Sequence, residues 1–168
     1  FSLHLIAAII MLHLVQQHDT IKMRLDNIKI ISENNFKENL FWEKVKDLQP
    51  TEYVLTSNDL CNKTIIYSNL PILFCFHPLD YISYFPKLAS PTKKIINNVL
   101  GISFKDVKYK NLSGISEAQI KEIYENKSFT EWNALKKELN FNLIIVPKEW
   151  NLNLNLIIND KYKVYKID

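Results

Sequence analysis

Asp59, His77 and Asp80 are the side chains best suited to proton transfer: two carboxyls and an imidazole, each just beyond a short apolar stretch. Asp59 follows Thr51-Glu-Tyr-Val-Leu-Thr-Ser57, and His77 and Asp80 follow Pro71-Ile-Leu-Phe-Cys-Phe76. Ligands of α/β sheets collect beyond the carboxyl ends of strands. An acid and an imidazole converging there could act as general acid and general base. Asn58-Asp59 and His77-Pro78 are also ordinary loop residues that satisfy the backbone of turns, so these three are catalytic candidates beside that plainer reading. Whether the chain is an enzyme stays open.

Cys61 and Cys75 are the only thiols. In Cys75-Phe-His77, alternation along a strand would put thiol and imidazole on one face, yet two thiols and one histidine do not close a zinc site. No metal and no cofactor are expected. Buried free thiols are the default for the two cysteines; a Cys61–Cys75 disulfide requires export to an oxidising space. With two glycines, Gly101 and Gly114, neither a P-loop nor a dinucleotide fingerprint can be written. The nucleophile elbow of the α/β-hydrolases is excluded for the same reason. A formal charge of +3, with lysines alternating with acids, gives no basic stripe, so no nucleic-acid partner is expected. Trp132, Trp150, Tyr81 and Tyr84 could offer stacking surfaces to a sugar, although such aromatics more often belong to a core.

The elements that would position these groups can be read along the chain. Phe36, Leu40, Phe41, Val45 and Leu48 form a helical stripe ended by Pro50. Residues 51–57 read as a strand running into a turn at Asn58-Asp59, and 64–68 and 71–76 as two further strands. Pro78 to Phe85 could form a short helix. Ser90-Pro91 opens a helix whose buried face is Ile95, Ile96, Val99 and Leu100, with Gly101 at its left-handed end. Ser116/Gln119 and Ser128/Glu131 have capping-box spacing and introduce two more helices. Phe141 to Pro147 is a strand directly after a helix, half of a crossover unit. A closing hairpin turns at Asn159-Asp160, with Lys161, Lys163 and Lys166 guarding an edge. The fold class is therefore α/β: a small mixed sheet with flanking helices.

Ahead of this domain stands Phe1-Ser-Leu-His-Leu-Ile-Ala-Ala-Ile-Ile-Met-Leu-His-Leu-Val15, apolar and uncharged. As a helix it would rise about 22 Å, short of the roughly 30 Å of a bilayer's hydrocarbon. It reads as the end of a truncated transmembrane helix over residues 1–17. A stalk follows over 18–35, then the domain proper over 36–168. A core helix of a stand-alone soluble enzyme or ligand-binding domain is the alternative. A cleaved signal peptide fits less well, lacking a basic start and a small-residue cleavage site.

That order, apolar segment, helix with Phe41-Trp42, strand Tyr53-Val-Leu-Thr-Ser57, the stretch Ala89 to Gly101, then Leu143-Ile-Ile-Val-Pro147 and Trp150-Asn-Leu-Asn-Leu154 before a hairpin, resembles the C-terminal extracytoplasmic α/β domain of bacterial polytopic membrane proteins related to GT-C-type glycosyltransferases. The likeness spans the chain in layout and rests on no diagnostic motif. It implies an accessory region of a multi-span parent, with the membrane and the rest of that parent as partners, a carbohydrate or polyprenyl-linked substrate nearby, and an extracytoplasmic location. The catalytic acid of that superfamily has no counterpart among these residues.

Overall fold

The computed structural model describes residues 22, 35–48, 50, 52–75, 87, 89–102 and 115–168. The chain divides into two compact units, Phe1–Leu40 and Phe41–Asp168. In the smaller, the described residues 22 and 35–40 are helical. The apolar run 1–15, the stalk, the helix expected over 78–85, His77 and Asp80 lie outside the described residues. Among the described residues, no helix is long and apolar enough to cross a membrane.

The larger unit opens with helical residues 41–47 (α1). Strand β1 (Tyr53–Thr56) follows, then α2 (Asn58–Ser68), α3 (Ala89–Leu100), α4 (Glu117–Glu125), α5 (Phe129–Leu139), β2 (Phe141–Pro147), β3 (Asn155–Asn159) and β4 (Tyr162–Lys166). The strands form one mixed sheet in the order β1-β2-β4-β3. β1 runs parallel to β2, while β2/β4 and β3/β4 are antiparallel. The α/β class expected from the sequence is what the chain adopts.

Alternation along the strands sends side chains to two cores. Leu55, Phe141, Ile144, Val146 and Tyr165 join Ile96, Ile120 and Trp132 of α3, α4 and α5. Val54, Leu143, Ile145 and Val164 join Phe41, Trp42, Val45 and Leu60 of α1 and α2. The sheet is thus covered on both faces, which is why β2 reads as an almost unbroken apolar run.

Local signals place the helices of the first core. Gly101 ends α3 at φ +67°, and its amide bonds the Asn97 carbonyl at 2.9 Å. Both capping boxes form: the Ser116 and Ser128 hydroxyls accept from the amides of Gln119 (3.3 Å) and Glu131 (3.2 Å). Gln119 and Glu131 accept in return from the Ser116 and Ser128 amides at 2.9 and 2.7 Å. Asn140 closes α5 in the left-handed conformation and leads directly into β2.

Three expectations are overturned. Residues 64–68 are the second half of α2, not a strand. Their β-branched and aromatic members Ile65, Ile66 and Tyr67 are exposed, while α2 buries Leu60, Cys61, Thr64 and Ser68. The buried polar pair satisfies itself inside the helix, Thr64 donating to the Leu60 carbonyl and Ser68 to that of Thr64. Residues 71–75 add only a parallel bridge between Ile72 and Val54. β4 lies inside the sheet, so Lys163 and Lys166 do not guard an edge; β3 is the outer strand. Lys163 instead donates to the Trp150 carbonyl (2.9 Å) and Asn151 Oδ1 (2.6 Å), fixing the connection after β2.

Candidate functional site

Cys61 and Cys75 are joined in a disulfide, with Cα atoms 5.9 Å apart, inside the usual span for such a bond. The expectation of free thiols is therefore corrected. The bridge ties α2 to the 71–75 segment, whose Leu73 amide bonds the Val54 carbonyl and whose Pro71 carbonyl accepts from the Val54 amide. Cys75 cannot then serve as a thiolate metal ligand. Among the described residues no group of three or more histidine, cysteine, aspartate or glutamate side chains could hold a metal ion.

Asp59 sits in the first turn of α2, just beyond the carboxyl end of β1. The sequence predicts a turn at Asn58-Asp59 at the end of this strand. The strand end is as expected, but the pair begins a helix, with Ser57 at its N-cap in an extended conformation. The Ser57 amide is spent on the sheet, donating to the Ile145 carbonyl at 3.1 Å. Its side chain makes no cap bond.

A residue that the sequence did not single out completes this end of the sheet. Glu117, at the start of α4, is half-buried, and its carboxyl is pushed from the ordinary range up to about 7. Burial is the main cause and the negative charge of Asp59 the next; Glu149, just past the end of β2, adds a smaller push. The Ser57 hydroxyl and the Asp59 backbone amide act in the opposite direction. Their pull is weaker than the push of burial and of the Asp59 charge.

Glu117 shares a face of α4 with Ile120 and Tyr124, at i, i+3 and i+7. Those two line a small recess with Thr56, Asn58, Phe74, Cys75, Ile96, Val99 and Leu100, with enclosed space of about 10 Å³, room for about one water. Tyr124 donates to the Thr56 carbonyl at 3.4 Å. Burial and the Glu117 charge raise its phenol well above the ordinary value, so it stays neutral. The recess has an apolar body and a polar end. Thr56 Oγ1 and Asn58 Oδ1, of the lining residues, and Ser57 Oγ and Glu117 Oε1, outside the lining, are buried oxygens without hydrogen-bond partners.

Such orphaned groups are rare in folded proteins, because each forfeits its bonds to water. Four of them beside the carboxyl end of a parallel strand distinguish this place from the rest of the described surface. The spacing of Glu117, Ile120 and Tyr124 is the signal that could have drawn attention to Glu117. It was obscured because an acidic residue after a capping serine is ordinary in a first helical turn.

Trp132 and Trp150 are not sugar platforms. Both are buried, and Tyr124 meets them edge to face at centroid distances of 5.4 and 5.5 Å. Tyr81 and Tyr84 lie outside the described residues. Of the three catalytic candidates, the structure describes only Asp59.

Compared with known protein families, curated proteins and solved structures, the chain matches none.

Proposed function

We propose that this chain is an extracytoplasmic accessory module of a multi-span membrane protein of glycosyltransferase-like type, and that it helps position a lipid-linked substrate for an active site elsewhere in its parent. The observation that carries this reading is the Cys61–Cys75 disulfide, since such bonds persist in oxidising spaces and are rare in the cytosol. The apolar run Phe1 to Val15 supports a membrane attachment. The absence from this sequence of a P-loop, a dinucleotide fingerprint and a nucleophile elbow agrees with a supporting role.

The test is thiol labelling and fractionation in cells that make the intact protein. The expected result is that Cys61 and Cys75 resist alkylation until a reductant is added, and that the chain stays in the membrane pellet after alkaline extraction. Labelling of both thiols without reductant, or release of the chain into the supernatant, would contradict the proposal.

A further inference from the structure

Helix α2 is packed inside out. It turns Cys61, Thr64 and Ser68 inward beside Leu60, while Ile65, Ile66 and Tyr67 stand at 48%, 74% and 38% exposure. A helix on a surface bathed by water ordinarily does the reverse, facing its apolar residues to the core. The exposed turn is held firmly. Tyr67 stacks on the buried Trp42 with ring centroids 6.3 Å apart, and Lys63 donates to the Tyr162 hydroxyl at 2.9 Å. From Leu60 to Phe76 the only charged residue is Lys63, and Asp59 is about 10 Å along the helix from Ile66. Two isoleucines and a tyrosine on one turn, with no acid among them, suit the boundary between the headgroups and acyl chains of a bilayer. The size of the patch separates this occupant from a protein. Three side chains on one turn fall far short of the ~800 Å² per partner that a stable protein complex buries. A bilayer contact can be much weaker when the domain is tethered to the same membrane, because the tether makes docking an intramolecular event.

We propose that the outer face of α2 rests on the lipid bilayer, with Ile65 and Ile66 at the boundary of headgroups and acyl chains and the Tyr67 hydroxyl among the headgroups. The inference rests on the membrane attachment proposed above and adds an orientation to it. With α2 lying along the membrane surface, the domain does not swing freely about its tether, and that restraint is what a positioning module needs.

The test places a nitroxide on Ile66→Cys, or on Phe129→Cys at the exposed start of α5 as control, in the intact protein reconstituted into vesicles of phosphatidylcholine and phosphatidylglycerol. Cys61 and Cys75 are bridged to each other, so the new thiol is the one that takes the label. Spin relaxation then compares oxygen, which concentrates among acyl chains, with a water-soluble nickel chelate. The label at 66 should meet oxygen more often and the chelate severalfold less often than the label at 129. Adding Ile65→Glu, an exposed change that should leave the far-UV spectrum unaltered, should return the label at 66 to the chelate. If the protein withstands alkaline extraction from the vesicles but the label at 66 is as open to the chelate as that at 129, the docking is overturned and the membrane attachment stands. A label at 66 shielded from both reagents would mean that protein, a second copy or the parent, covers α2, and would overturn it too. Release of the protein by alkali would overturn the attachment and the docking together.

Discussion

Ser116 and Ser128 begin α4 and α5 with their hydroxyls engaged by backbone amides, whereas Ser57 begins α2 with its hydroxyl buried and unpartnered. The contrast follows from the residue three positions on. Gln119 and Glu131 can return a hydrogen bond to the cap backbone; Leu60 cannot and is turned into the core. The carboxyls differ accordingly. Glu131 is held below its usual range by the Ser128 backbone and hydroxyl, while Glu117, carried to the start of α2 from another helix, is raised by burial. Polar groups that α4 and α5 use up in folding are left available at α2, and a site needs available groups.

If α2 lacks a local cap because it is held by other means, the disulfide is the first of those means to remove. Replacing both cysteines, Cys61→Ala with Cys75→Ala, should cost about 3 kcal/mol for a bridge closing a loop of this size, measured by urea unfolding. Amide exchange should then quicken in α2 and leave α4 and α5 protected; uniform loss of protection would erase the distinction between the helices.

Next in size is the effect of Glu117 on stability. Its folded value near 7 lies above the ordinary 4.5, so between those limits the folded chain holds more protons than the unfolded one. Stability therefore falls as pH rises from 4.5 to 7, and the cost is complete above 7. For a half-exposed carboxyl, screened by solvent, the cost is about 1–2 kcal/mol. Glu117→Gln should thus raise the melting temperature at pH 8 and leave it nearly unchanged at pH 4. Equal shifts at both pH values would mean that the carboxyl is not the cause.

The serines give the smallest effects. Ser128→Ala should cost about 1 kcal/mol, the usual value of an N-cap, by denaturant titration. Ser57→Ala removes a hydroxyl that makes no cap bond to α2, so its effect should stay within about 0.5 kcal/mol. Comparable losses from the two would show that Ser57 caps α2 after all.

The legible parts of this fold are those whose cause lies within a few residues. Gly101 after α3, the two capping boxes and the run Phe141 to Pro147 each carry their own signal, and each forms as expected. Residues 58–68 were misread because hydrophobicity alone does not reveal a helix that buries Thr64 and Ser68 and exposes Ile65 and Ile66. What holds this segment is distant in sequence: the bridge to Cys75 and the packing of Leu60 against Val54 and Ile145. The site divides in the same way. That polar groups gather after β1 follows from strand and turn signals, and Asp59 is among them. Glu117 reaches the same place only through tertiary packing, some 58 positions later (117 − 59), so no local pattern could supply it.

The decisive measurement is a carbon-13 NMR titration of the Glu117 side-chain carboxyl in the intact chain. A midpoint near 7 is the predicted result, because burial and the neighbouring Asp59 charge disfavour the ionised carboxylate. A midpoint in the ordinary glutamate range would contradict the placing of Glu117 as a half-buried carboxyl beside Asp59 at the carboxyl end of β1.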